Sequence, residues 1–497
     1  MKRYFITSER VKKMKQRELT SEQLQKRMIR KQKEIAKWER EKAKPKTNYY
    51  IFYLIFIVSL VYVCDEIASQ IGTLMKTEIA NDLMAKYGDK SVGMLDIIGF
   101  IGIPFQALSI FYKPLSDRFG RKMFLIINTL SMSLGMLLIS LTHGLAFYLI
   151  GTVIILFFVP HDMQVVYIME SAPAKHRAKI YSVVKCIATV GIMLVPLFRK
   201  LFMETADEWR NVYLIPAIVG VAVSFIALFF ARETDAFIDS RLSYLKMTDE
   251  EIEQAKREKT SKDSQGGFFT GLKFAMKHKQ LRWIFITNAL CTFGVIITMH
   301  YQVVMSYGFA ENLLNTGGAE TMESALNIAS VGPVTMALFL FPVGSAIAQL
   351  LVGILADTIG RKGSAIAMTC ITIVSFVLMV IGPHKNWSAY LVGLFCGSAI
   401  GGYWGTSDLH GIIISESAPT NLRSSVMSAQ FIAMGVGYVV AYGVGLPLIT
   451  VLGNAYIPLI TLCLAVPGMV ASLIVLITKV HDTKGVDLDK ITGMEWD

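Results

Sequence analysis

Apolar residues dominate windows of about twenty positions that recur along the chain, and a helix of that length crosses the ~30 Å hydrocarbon core of a bilayer. Twelve such windows are read, near 49–74, 92–112, 123–142, 144–171, 178–202, 211–231, 283–305, 329–353, 364–383, 387–413, 425–450 and 455–478. Polar gaps between them are short. The exception is the Lys-, Glu- and Ser-rich interval 232–282, which divides the windows six and six. The pattern predicts an all-α integral membrane protein of two six-helix bundles, with segments 1–48 (basic tail), 49–231 (first bundle), 232–282 (linker), 283–478 (second bundle) and 479–497 (closing tail).

The two halves repeat each other. "SDRFGRK" (116–122) returns as "ADTIGRK" (356–362), and "ESAPAKHR" (170–177) returns as "ESAPTNLR" (416–423). Both repeats keep their order and fall 240 and 246 residues apart, which is the mark of an internal duplication. Parallel repeats that rock about a central site are a transporter architecture.

These residues resemble the major facilitator superfamily. Its loop signature Gly-x-x-x-Asp-Arg-x-Gly-Arg-Arg/Lys is matched by Gly353, Asp357, Gly360, Arg361 and Lys362, with Thr358 in the basic slot. Asp117, Arg118, Gly120, Arg121 and Lys122 match it in the first half, where Lys113 replaces the leading glycine. "HDTKGVDLD" (481–489) is similar to the closing motif of the sugar porters, organic-ion transporters and metabolite–proton symporters, and "RETDAF" (232–237) stands where those groups carry a related acidic motif. The resemblance covers about residues 49–490. It implies twelve spans with both termini cytoplasmic, in the cell membrane, and transport by alternating access. It also implies gating latches at the cytosolic helix ends: Asp117, Arg118, Arg121, Glu170 and Arg177 in one half, Asp357, Arg361, Glu416 and Arg423 in the other.

Ionisable groups inside a span are costly, roughly 2.5–3.5 kcal/mol each on insertion scales, and so mark function. Asp162 and Asp408 each lie eight residues before the repeated glutamate, ~12 Å above the helix end. Lys185, eight residues after Arg177, reaches the same depth, and an ion pair with Asp162 is expected. Asp65 and Glu66 are neighbours in span one, so only one faces the cavity, and Asp65 is the expected one. An acid there resembles the proton-coupling aspartate of the sugar porters. The arginine those proteins place on span four is missing, and His161 and Asp162 stand there instead. His161 and His410, beside the two aspartates, read either as structural groups or as proton relays and substrate ligands. Trp404, Asn288 and Gln430 complete the expected substrate-binding set.

Two features of shape accompany these charges. Pro160 should kink span four just before His161. Gly393, Gly397, Gly401 and Gly405 repeat every fourth position of span ten, either for close helix packing or as a smooth cavity wall.

Net charge adds one more fact. Residues 1–50 hold 17 Lys/Arg against 6 Asp/Glu, the whole excess of 11; the rest holds 32 of each sign. A basic tail before the first span indicates the cytosolic side and a place on anionic lipid, without a nucleic-acid platform. The tail reads as an amphipathic helix, with Leu24, Met28, Ile35 and Trp38 on one stripe and Pro45 as its stop, or as a disordered segment. The six cysteines fall inside apolar windows with no CxxC pair, and neither a metal site, a cofactor nor a catalytic constellation is indicated. A monomeric proton symporter of a sugar, polyol or carboxylate-type metabolite is the first expectation. The alternatives are a proton-driven exporter and a transporter-like nutrient sensor whose tail is the output.

Overall fold

The computed structural model describes residues 21–44, 49–112, 115–141, 143–159, 163–172, 177–248, 268–419 and 422–486, with positions 251 and 254. It is nearly all helical. Span one is Tyr50–Leu74, and the short helix Lys76–Leu83 continues beyond it. Span two is broken into Ser91–Gly99 and Gly102–Tyr112, and span three is Arg121–Leu141. Span four comprises Leu145–Phe158 and Met163–Ser171; the pieces flank Pro160, which lies outside the described residues. Span five comprises Arg177–Gly191 and Leu194–Phe202, and span six is Trp209–Phe230.

Span seven runs from Lys279–Cys291 through a tight turn into Val295–Asn315. Span eight joins Met322–Ala329 to Thr335–Thr358 through a π-turn, Ser330–Val334. Spans nine and ten are Gly360–His384 and Ala389–Ser417. Span eleven joins Arg423–Val440 and Leu446–Leu452 through a second π-turn, and span twelve is Ile457–Lys479.

Eight of these helices are long and apolar enough to cross a membrane by length and composition. The other four have visible reasons for falling short. Spans two, four and five are interrupted, and span ten carries its glycines together with Ser407, Asp408 and His410.

Local chemistry moves several boundaries away from the sequence reading. The expected loop 306–328 is largely helical, because Ser306–Ala310 is buried and extends span seven. Span eight starts early at Met322, where the Thr321 hydroxyl accepts the Ser324 amide as a cap. The polar interval 232–282 contains two helices, Asp235–Lys246 (the linker helix) and Phe268–Lys277; Thr234 caps the first by accepting from the Phe237 amide. The tail forms a helix over Ser21–Lys42.

The glycines of span ten pack. A Cβ on Gly393 or Gly397 would overlap the carbonyl oxygens of Ala337 and Phe341 on span eight, and one on Gly401 would meet the Ser345 carbonyl at 2.5 Å. In lipid, where helices gain nothing by hiding apolar surface from one another, such close backbone approach is a main source of association. The smooth-wall alternative is therefore set aside: this face is occupied by span eight.

Candidate functional site

Each repeated Gly-Arg-Lys hairpin is built on a left-handed glycine, Gly120 at φ 108° and Gly360 at φ 89°. The turn exposes the first amides of spans three and nine, which lack intrahelical partners. A carboxylate fills each vacancy. Glu233 accepts from the amides of Arg121 (2.9 Å) and Lys122 (3.1 Å); Asp482 accepts from those of Arg361 (2.9 Å) and Lys362 (3.2 Å). Burial pushes the Glu233 carboxyl up, while these amide donors and Arg121 oppose that shift.

The next layer is also duplicated. Arg121 Nε meets Glu170 at 3.0 Å, and Arg361 Nε meets Glu416 at 3.3 Å. The second oxygen of each glutamate takes a hydroxyl, from Thr234 at 2.6 Å and Thr483 at 2.5 Å. Asp357 is exposed and pairs with Arg361 at 3.3 Å, whereas Arg423 donates to the Ser415 carbonyl. The side chains of Asp117, Arg118 and Arg177 lie outside the described set. Both latches sit at one end of the molecule, the motif end, and each lies within a single bundle.

Deeper in the first bundle, Asp65 is 7 % exposed on span one. It accepts a hydrogen bond from the Gln164 amide of span four, and its Oδ1 has no partner among the described residues. Glu66 is half-buried beside it. His161 and Asp162 lie outside the described residues; Lys185 is half-buried on span five. In the second bundle, His410 and Asn288 are fully buried, with His410 Nδ1 3.3 Å from Asn288 Oδ1. His410 Nε2 and Asn288 Nδ2 find no partner among the described residues. The Gln430 amide packs over Gly411 next to them. Trp404 is half-buried with its ring edge-on to Tyr403 at 5.1 Å, and Asp408 is exposed.

The end opposite the motifs is closed by contacts between the bundles. Arg199, at the end of span five, is fully buried and pairs with Glu78 at 2.6 Å. Its guanidinium crosses to span eight, donating to the Ser330 carbonyl and hydroxyl and to the Thr335 hydroxyl, all at 3.0 Å. Gln302 of span seven donates to Glu78 and accepts from the Thr77 amide and hydroxyl. Beside this, Asp96 takes Lys76 at 2.6 Å and His300 of span seven at 2.8 Å, and Asn454 bridges to Ser91.

A model of the Major Facilitator Superfamily matches residues 51–332, more than half of the 497-residue chain. The chain belongs to the Major Facilitator Superfamily. A second model, "Sugar (and other) transporter", matches residues 323–484. Among curated relatives, the hexose transporter HXT13 of Saccharomyces cerevisiae is 33% identical over 104 residues, 21% of this chain and 18% of that protein. The facilitated glucose transporter member 4 of Mus musculus is 30% identical over 143 residues, covering 28% and 27%. These matches span less than a third of either relative's length. Among solved structures, the inward open conformation of the xylose transporter XylE from E. coli aligns with a TM-score of 0.61 at 17% identity, covering 89% of this chain and 99% of that one. A crystal structure of a D-xylose-proton symporter aligns at 0.57 and 17%, covering 88% and 99%.

Within this superfamily fold, several residues that organise the site escape a sequence reading. Glu233, Thr234, Asp482 and Thr483 stand in recognisable motifs, but only the hairpin geometry assigns them a task. Gln164 is neutral and sits two residues from the conspicuous Asp162. Arg199 was visible as a charge inside an apolar window, "VPLFRKLF".

Proposed function

We propose that the chain is a proton-coupled importer of a neutral polyhydroxyl solute, a sugar or polyol, working by alternating access in the cell membrane. One observation carries the mechanism: the polar contacts described between the bundles gather at one end, around Arg199, while the motif-end latches stay inside single bundles. Cross-bundle polar contacts gathered at one end among the described residues fit a rocking cycle caught with that end sealed. The basic tail assigns the motif end and both termini to the cytosol by the positive-inside rule, so the sealed end faces outward.

Asp65 is the proton carrier in this reading. Gln164 offers it a hydrogen bond but no counter-charge, so a proton is the remaining means of neutralising the group in a dry span. Asn288, His410 and Gln430 offer amide and imidazole groups to solute hydroxyls, with unfilled hydrogen-bonding capacity on Asn288 and His410. Asp162, Lys185, His161, Trp404 and Asp408 are assigned to the same path, and Asp117, Arg118, Arg177 and Arg423 to the cytosolic gate. The match of the second half to a sugar-transporter model supports the substrate class.

Proteoliposomes holding the purified protein test this directly. Labelled glucose, xylose and inositol are offered with and without an inward proton gradient. Accumulation of one of them above equilibrium, only with the gradient, is the expected result. Sugar uptake that ignores the gradient would remove the coupling, and uptake of carboxylates or amines alone would remove the substrate class.

A further inference from the structure

The tail helix Ser21–Lys42 precedes the segment matched to the family. Two of its acids help hold it in place. Glu34 pairs with Arg241 at 2.7 Å and Glu39 with Lys246 at 2.8 Å, both on the linker helix, while Glu41 pairs with Lys44 at 2.6 Å. Lys42 reaches Asp239 at 2.5 Å, and the Trp38 ring stands edge-on to Phe237 at 5.5 Å. Lys31, which donates to the Met247 carbonyl at 3.3 Å, recurs with Glu34, Trp38 and Lys42 every three or four residues, so docking occupies one face of the helix.

A second series has the same spacing. Arg30, Lys33, Lys37 and Arg40 are all exposed, with the Lys37 ammonium leaning over the Trp38 ring at 4.9 Å. Lys33 is two residues from Lys31 and so lies roughly 200° around the axis from it. These cations therefore gather on the face turned away from the linker helix, and the acids that border them, Glu34 and Glu41, are engaged by Arg241 and Lys44. Position supplies the partner. Only residues 45–49 separate Lys44 from the start of span one, a tether of at most about 20 Å. The stripe is consequently held at the bilayer surface, where basic segments are drawn to anionic lipid.

The geometry points to a two-faced membrane clamp: one face of the tail helix grips the linker helix, and the other offers Arg30, Lys33, Lys37 and Arg40 to anionic phospholipid headgroups. The inference requires only that the chain spans a bilayer; it is independent of substrate and of proton coupling. Through the linker helix, whose preceding residues Glu233 and Thr234 complete the first latch, lipid charge gains a mechanical path to the gate.

Amide hydrogen exchange of the full-length protein in nanodiscs tests this. Discs of phosphatidylcholine are compared with discs of phosphatidylcholine mixed with phosphatidylglycerol. Exchange over 21–44 should slow several-fold in the anionic discs, and the difference should vanish at high salt because the contact is screened. It should also vanish in a variant carrying Arg30→Gln, Lys33→Gln and Arg40→Gln, whose spans exchange as in the parent. Equal exchange in both lipids overturns the inference. So does slowing by soluble polyglutamate in neutral discs with none from phosphatidylglycerol, which would reassign the stripe to an acidic protein.

Discussion

Arg199 of span five and Ser330 of span eight are joined twice, the guanidinium Nη2 donating at 3.0 Å to both the carbonyl and the hydroxyl of one residue. Ser330 opens a π-turn that contains Pro333, a helix defect where backbone hydrogen bonding is rearranged. The arginine of one bundle thus reaches a helix irregularity in the other, with its own counter-ion Glu78 beside it.

Two substitutions separate the charge pair from the seal. Arg199→Ala leaves Glu78 buried without its counter-ion, a loss of about 3–5 kcal/mol in comparable buried pairs, and should lower the melting temperature of the purified protein sharply. Ser330→Ala keeps the pair and the carbonyl contact but removes two hydrogen bonds to charged groups, one accepted from Arg199 and one donated to Glu78. It should lower the melting temperature less than Arg199→Ala does while moving the population toward the opposite conformer by about tenfold or more. A reporter on the sealed end reads this as increased labelling from outside.

The hairpins give a symmetric test. Gly120→Ala forces a β-carbon into a left-handed conformation, costing roughly 1–2 kcal/mol, and into the space of the Glu233 carboxylate. Gly360→Ala does the same against Asp482. Each should lower thermal stability and slow transport, measured on purified protein and by uptake. Equal effects are expected from the two, because the two latches are built alike.

Span ten supplies a contrast between two glycines. A methyl on Gly397 would collide with the Phe341 carbonyl, and Gly397→Ala should destabilise the protein by about 1–3 kcal/mol through overpacking. Gly353 has nothing within 4 Å of its would-be Cβ. Gly353→Ala should be neutral or mildly stabilising, since alanine is the better helix former. Paired melting curves in the same detergent decide the point.

What could be read beforehand follows from what each feature depends on. The apolar windows and the duplication were legible, because span length and repeated hairpins leave fixed signatures; Arg121, Glu170, Arg361 and Glu416 could be grouped by that repeat, but not paired. The Arg199–Ser330 contact was not: the two residues are 131 positions apart and meet only when this end is closed. Gln164 was hidden for a different reason. An amide inside a span carries no charge to flag it, whereas Asp162, two residues away and outside the described residues, does. The span-ten glycines were readable as a pattern, but choosing between packing and cavity required knowing that span eight occupies that face.

The proton site proposed at Asp65 gives the last prediction. Asp65→Asn keeps the shape and the Gln164 contact while removing the titratable oxygen. It should abolish accumulation of sugar above equilibrium yet leave equilibrative exchange of labelled for unlabelled sugar across the same vesicles. Gln164→Arg acts in the other direction. A fixed cation next to the carboxylate favours its ionised form, so loading a proton demands a more acidic exterior. Uptake should survive but with its half-maximal external pH moved to lower values, and Gln164→Glu, which adds a like charge, should move it higher. Opposite shifts from these two would make Gln164 a tuning partner of the proton carrier. Identical losses from both would make it only a packing residue, since substitution of either sign would then be damaging through shape alone.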